Sequence, residues 1–62
     1  MNKMQKIALA EKDLLVKDLG NILNKHHNYV SNVLSGKYRS PNLRKEIAKI
    51  LEKSESFLWP KD

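Results

Sequence analysis

The chain has 62 residues, a net charge of +5 and no cysteine. A chain this short forms one domain, here residues 1–62, and it offers neither disulfides nor thiolate ligands for a metal. Its longest apolar runs, such as Ile7–Ala10, are far too short to cross a bilayer. We therefore expect a soluble cytoplasmic protein without a membrane partner.

Apolar residues recur with a helical period along most of the chain, and strand signals are absent, which predicts an all-α fold of four or five short helices. The first helix is predicted to span Asn2–Glu11. Asp13 is expected to cap the second helix, and Asn24, which tolerates the left-handed conformation, is expected to end it. The predicted apolar side of this second helix consists of Leu15, Val16, Leu19, Ile22 and Leu23.

A third helix is predicted for residues 27–35, followed by Gly36, with Val30, Val33 and Leu34 facing the core. Ser40 and Pro41 are typical of the start of a helix, which predicts a fourth one after them. Its predicted core face consists of Leu43, Ile47, Ile50 and Leu51. Arg44 and Lys45, early in this helix, are either solvated or face an anion.

Ser54 is expected to cap a last turn that Pro60 stops. This turn carries three large apolar side chains, Phe57, Leu58 and Trp59. They either close the core of the single chain or form a contact between two copies of it.

The segment HHNYVSNVLSG, residues 26–36, contains no charged residue, although Asp, Glu, Lys and Arg make up 31% of the chain. Solvated helix faces usually carry Lys and Glu, whereas this one carries amides, hydroxyls and imidazole. Such side chains can read the donor and acceptor pattern of DNA base edges. From residue 19 to residue 45 the chain has basic residues and no acidic one, which favours a polyanionic partner.

Only about three residues separate the second and third predicted helices, so these helices are expected to cross steeply, as in a helix-turn-helix. Gly20 supports this geometry. A glycine inside a helix costs about 1 kcal/mol relative to alanine, and here it would let the third helix pass close to the second.

The segment LGNILNKHHNYVSNVLSGKYRSPNLRKEIAKIL resembles the DNA-binding domain of the phage lambda repressor and Cro family, and the match covers Leu15 to about Leu51. The features shared with that family, in order, are Leu19-Gly20, the turn Asn24–His26 and the corner Ser35-Gly36-Lys37. The closing FLWP also resembles the end of short phage regulators. The resemblance implies a compact lambda-repressor-like domain with a helix-turn-helix at about residues 14–35. Leu15 and Val16 depart from the family, which places a phosphate-binding Thr or Ser and Gln there.

The resemblance also implies roles for individual residues. The helix 27–35 would enter the major groove and contact bases through His27, Asn28 and Asn32. Ser31 lies between them and is a further candidate for a contact to a base or a thymine methyl group. The candidates for phosphate contacts are Lys25, His26, Tyr29, Lys37, Tyr38 and Arg39. For Tyr29, packing at the edge of the core is an equal alternative.

These features predict a sequence-specific regulator of transcription that binds double-stranded DNA, a small Cro-like repressor. We expect a homodimer, preformed or assembled only on DNA, on inverted half-sites. Its candidate dimer contacts are Phe57, Leu58 and Trp59. No cofactor, metal or small-molecule ligand is expected. The chain is not predicted to be an enzyme, since it lacks a phosphate-binding glycine loop and a thiol nucleophile. The alternative is a small helical protein-interaction module, such as an antitoxin or adaptor that binds an acidic protein.

Overall fold

Residues 1–60 are described by a computed structural model, in which α-helices follow one another without strands. The helices are α1 (Lys3–Glu11), α2 (Val16–Leu23), α3 (His27–Ser35), α4 (Pro41–Leu51) and α5 (Glu55–Leu58). The all-α prediction is therefore confirmed for this part of the chain. None of these helices is long and apolar enough to cross a membrane.

One core lies between the helices, and each helix contributes at least one buried apolar side chain to it. The contribution of α3 is the predicted stripe of Val30, Val33 and Leu34, which are almost completely buried. Burying such an aliphatic side chain stabilises the fold by about 1.5–3 kcal/mol. The stripe therefore determines which side of α3 turns inward and which side faces solvent.

Left-handed residues end several helices. Asn24 ends α2 with φ 57° and ψ 44°, as predicted, and the Lys25 N–H donates to the Gly20 carbonyl at 2.8 Å. Gly36 ends α3 with φ 88°. Glu52 ends α4 with φ 57°, a conformation that the sequence did not indicate, because glutamate has no special preference for it.

The prediction that Asp13 caps α2 is wrong. Asp13 has a φ of 55° and belongs to the end of α1, where the Leu14 N–H donates to the Leu9 carbonyl at 2.9 Å. The N-cap of α2 is Leu15, whose N–H donates to the Asp18 carboxylate at 2.8 Å. Aspartate adopts the left-handed conformation more readily than most residues, so Asp13 closes one helix instead of opening the next.

The predicted apolar side of α2 is partly wrong as well. Leu19 is buried, and Val16 and Leu23 pack against the core, but Leu15 is 60% exposed and Ile22 is 56% exposed. Leu15 precedes the helix with extended backbone, so it does not lie on the helical stripe. The inward side of this eight-residue helix is therefore narrower than the pattern of apolar residues indicates.

The start of α4 lies where it was predicted. Pro41 occupies the first turn and Ser40 is the N-cap, although the Ser40 side chain makes no capping hydrogen bond. Three of the four predicted core residues of this helix are buried and Ile50 is half-buried.

The C-terminal helix closes the core. Ser54 caps α5 as predicted, since its Oγ accepts a hydrogen bond from the Phe57 N–H at 3.1 Å. Leu58 and Trp59 are buried within the single chain, whereas Phe57 stays partly exposed. The guanidinium carbon of Arg44 lies 4.9 Å from the centre of the Trp59 ring. Arg44 is itself buried, so of its two predicted alternatives, a solvated side chain or one that faces an anion, the first is wrong.

Two exposed ion pairs join the ends of α1 and α4. Lys12 Nζ lies 2.6 Å from a Glu52 carboxylate oxygen, and Lys53 Nζ lies 2.9 Å from one of Glu11. The hydrogen bond and the charge of Lys12 lower the pKa of Glu52 below its ordinary value of 4.5. Because a lowered pKa means that the folded state favours the carboxylate, this pair stabilises the fold above pH 4.5, and the stabilisation is lost as the pH falls from there through the lowered pKa.

We predict that Glu52→Gln lowers the melting temperature slightly at about pH 7 and has almost no effect at about pH 2.5. Glutamine would keep a similar side chain at the left-handed position, so the difference reports the charge of residue 52. Thermal unfolding of both proteins at low salt measures it. A high salt concentration should abolish the neutral-pH difference. An equal difference at both pH values would contradict the stabilising role of the carboxylate.

Candidate nucleic-acid interface

A close backbone contact sets the position of α3 against α2. A Cβ atom added to Gly20 would lie 2.7 Å from the carbonyl oxygen of Lys25 and 3.3 Å from the backbone nitrogen of His27. No side chain fits at the first of these distances. The structure thus confirms that Gly20 is needed for the close approach of the two helices, which are joined by residues 24–26.

The first turn of α3 is capped by an imidazole. His26 is the N-cap residue, and its Nδ1 accepts a hydrogen bond from the Asn28 N–H at 3.2 Å. The rings of His26 and His27 stack with their centres 4.5 Å apart. The sequence did not indicate this role, since histidine is not among the preferred N-cap residues.

The outward side of α3 is polar and uncharged. His27, Asn28 and Ser31 are exposed, and Asn32 is half-buried. Residues four apart lie on one side of a helix, so His27 and Ser31 form one row and Asn28 and Asn32 form the next. Within residues 1–60 neither asparagine amide makes a hydrogen bond, so both retain their full donor and acceptor capacity. The structure thus brings together the four residues predicted to contact bases.

Basic residues stand at both ends of this polar surface. Lys25 lies in the turn before α3, and Lys37 and Arg39 lie in the loop after it, all three exposed. The loop is held to the helix by the Tyr38 N–H, which donates to the Asn32 carbonyl at 3.2 Å. Of the six residues predicted to contact phosphate, Lys25 and His26 therefore precede α3, Tyr29 lies on it, and Lys37, Tyr38 and Arg39 follow it.

Two tyrosines link these groups along the side of α3. The rings of Tyr29 and Tyr38 have their centres 5.5 Å apart and are tilted by 36°. Both are partly exposed, Tyr29 by 38% and Tyr38 by 43%. Tyr29 thus packs on another surface aromatic and keeps part of its surface open to solvent.

A shallow groove lies beside the polar surface, between α2, α3 and α4. Its volume is about 500 Å³, and its lining includes Ile22, Leu23, Tyr29 and Leu43 together with Lys25 and Glu46. The exposed Ile22 is the most prominent apolar side chain in it. Elsewhere in the described chain, no group of three His, Cys, Asp or Glu residues lies close enough to hold a metal ion.

Comparisons with known proteins return no match. No family model, no curated protein and no solved structure is significantly similar to this chain. What the surface can bind therefore follows from its own geometry and chemistry.

We predict that Gly20→Ala lowers the free energy of unfolding by about 1 kcal/mol. The overpacked Cβ should cost about 1–3 kcal/mol, and the better helix propensity of alanine should offset about 1 kcal/mol of it. Urea denaturation followed by circular dichroism measures the change. Asn21→Ala, an exposed position in the same helix, is the matched control and should leave stability equal or slightly higher. A Gly20→Ala protein as stable as this control would contradict the close contact.

Proposed function

We propose that this protein binds double-stranded DNA sequence-specifically, with α3 in the major groove, and acts as a small regulator of transcription. The proposal depends above all on one observation: α3 presents an uncharged polar surface to solvent, with basic residues at both of its ends. A helix that only had to be soluble would carry its charges on that surface. A helix that reads bases needs neutral donors and acceptors there and needs cations where the phosphates lie.

The dimensions of α3 suit such a contact. Nine residues of α-helix extend over about 13 Å, and the major groove is about 12 Å wide. Lys25 on one side and Lys37 and Arg39 on the other would therefore meet phosphates on opposite walls of the groove. Such contacts hold the protein on the duplex in one orientation without selecting a sequence.

The asparagines are the strongest candidates for sequence selection. An asparagine amide can donate to and accept from one adenine at the same time, which distinguishes that base pair from the others. Asn28 and Asn32 are separated by one helical turn, about 6 Å, which corresponds to roughly two base-pair steps of about 3.4 Å. His27 and Ser31 form the neighbouring row and would contact adjacent base edges or a thymine methyl group.

A homodimer on an inverted repeat remains part of the proposal, because a single small domain reads few base pairs. Leu58 and Trp59 belong to the core of the single chain, so among the candidate dimer contacts Phe57 has the most accessible surface. Two copies would bind half-sites about one helical turn apart, and the bound protein would block polymerase from the operator.

The groove beside α3 favours a second candidate, a protein-interaction module. Ile22 and Tyr29 expose apolar surface there, and a helix or loop of an acidic partner would cover it. The two candidates differ in salt dependence. Affinity for DNA falls by orders of magnitude between low and physiological salt when several phosphates are contacted, whereas protein affinity usually falls less.

Selection of binding sites from a pool of random duplex DNA, at near-physiological salt, tests the proposal. Enrichment of a defined sequence would support sequence-specific binding, and an inverted repeat would support the dimer. Retention without enrichment would overturn sequence specificity. If no DNA is retained, the selection is repeated at low salt. No retention there either would overturn DNA binding and leave the protein-interaction module.

Asn28→Ala is predicted to change the selected sequence at one base pair and to leave the rest of it unchanged. Loss of one amide contact should cost about 1–3 kcal/mol of discrimination at that position. The same selection, repeated with the variant, measures the change. Asn21→Ala, which removes an exposed amide from α2, is the control and should select the wild-type sequence. Identical sequences from all three proteins would exclude base recognition by Asn28.

Lys37→Ala is predicted to weaken binding to every DNA sequence alike. Removing one phosphate contact should reduce the slope of log affinity against log salt by about one unit. Titrations of labelled duplex at several salt concentrations measure it. Lys49→Ala removes the same charge from the last turn of α4 and should leave the slope close to the wild-type value. Equal slopes for wild type and Lys37→Ala would place Lys37 away from the phosphates.

A further inference from the structure

The C-terminal end of α3 is held by side chains from two distant parts of the chain. The last carbonyls of any helix lack partners within it, so they must find others. The Leu34 carbonyl accepts hydrogen bonds from Gln5 Nε2 at 2.8 Å and from Trp59 Nε1 at 3.1 Å. The Val33 carbonyl accepts from the same Trp59 nitrogen at 3.2 Å. α1 and the residue after α5 thus bind the backbone of α3 directly.

Gln5 is the centre of this arrangement. Its side chain is completely buried, and its second Nε2 hydrogen bond goes to the Leu58 carbonyl at 2.8 Å. Its Oε1 accepts from the Asn2 N–H at 3.2 Å. Both amide hydrogens and the oxygen are therefore engaged at once, which leaves the amide a single orientation and fixes the Leu34 carbonyl with it.

These hydrogen bonds restrict the rotation of α3 about its own axis more tightly than its apolar stripe can. Contacts between aliphatic side chains are not directional, so they tolerate a small rotation of a short helix, whereas hydrogen bonds lose strength steeply when their angle changes. The outer side chains lie about 5–6 Å from the helix axis, so a rotation of about 20° would move them by about 2 Å. A shift of that size breaks a bidentate contact to a base, which requires placement within about 0.5 Å.

We infer that Gln5 is a positioning residue for base readout: its buried amide sets the rotation of α3 about its own axis. This inference rests on the proposed DNA-binding function. Gln5 lies in the core, so it acts on α3 through the Leu34 carbonyl, two residues from Asn32, and through the Leu58 carbonyl next to Trp59. Replacing its amide with an apolar group of similar size should loosen the rotation of α3 while leaving the basic residues at both ends in place.

The test compares Gln5→Met with Ile47→Val, a core substitution in α4 that removes one buried methyl group and no hydrogen bond. Each protein is titrated with the DNA selected by the wild type and with a scrambled duplex of equal length and composition, at a temperature where all are folded. We expect Gln5→Met to lower the ratio of the two affinities about tenfold, the size of one lost bidentate contact, with unchanged binding to the scrambled duplex. Ile47→Val should keep the wild-type ratio.

The outcomes of this test distinguish a failure of the positioning role of Gln5 from a failure of the proposed function. A Gln5→Met ratio equal to that of Ile47→Val would overturn the positioning role, since it would mean that the amide only stabilises the fold. A wild type that selects no sequence would instead overturn the proposed function. In that case NMR relaxation of the α3 amides still tests the structural part: millisecond motion should appear in Gln5→Met and be absent from Ile47→Val.

Gln5→Asn serves if Gln5→Met fails to fold. It keeps an amide but shortens the side chain by one methylene group, so the amide can no longer reach the Leu34 and Leu58 carbonyls together. The expected result is again a lower ratio of selected to scrambled affinity, with unchanged binding to the scrambled duplex. An unchanged ratio would show that the Gln5 hydrogen bonds do not position α3, and it would overturn the inference.

Discussion

The attachment of α3 at both of its ends is the constraint on which the rest of this structure depends. At the N-terminal end, the absence of a side chain at Gly20 lets the backbone of residues 25–27 lie directly against α2. At the C-terminal end, Gln5 and Trp59 bind the last carbonyls. A nine-residue helix with only three buried side chains has little packing of its own to hold it. The two attachments come from α1, from α2 and from the residue after α5, and they leave the polar side of α3 open.

The charged residues and the neutral polar residues of this surface occupy separate positions: the charged ones flank α3, and the neutral ones lie on it. The side chains of Lys25, Lys37 and Arg39 carry full positive charges, which attract an anion over a distance of several ångströms. The short amides and hydroxyls of α3 lie on a rigid helix and have a few directional bonds to offer. In the proposed complex with DNA, the cations of the turn and loop would supply attraction, and the amides on the helix would supply recognition. Attraction could therefore be altered by substitution without changing recognition, and the reverse.

Features encoded by neighbouring residues could be predicted from the sequence. The bounds of α3, the left-handed Asn24, the serine cap of α5 and the close contact at Gly20 all follow from local signals of this kind. Asp13 shows the limit of such reasoning, since aspartate suits both a helix start and a left-handed helix end. The pattern alone does not choose between them, whereas the closing hydrogen bonds of α1 do.

Features that depend on distant residues were missed. The burial of Arg44 requires Trp59, and the burial of Gln5 requires carbonyls from two other helices, so no local pattern reveals either. One signal for Gln5 was nevertheless present. Asn2 and Gln5 have the spacing of a capping box, and the structure contains that box. The roles proposed for the polar residues of α3 differ from these features, because they concern a proposed partner and not the fold.

The large sequence separation between Gln5 and its hydrogen-bond acceptors bears on the order in which parts of the protein fold. Its two acceptors lie 29 and 53 residues away, whereas α2 and α3 meet across a turn. Contacts between near neighbours form early, and those that close long loops form late. In a refolding chain, α2 and α3 can therefore pair before the segment around residue 58 reaches α3. The polar surface would then exist before its orientation is fixed, and the protein would acquire a single defined geometry only in its last steps of folding.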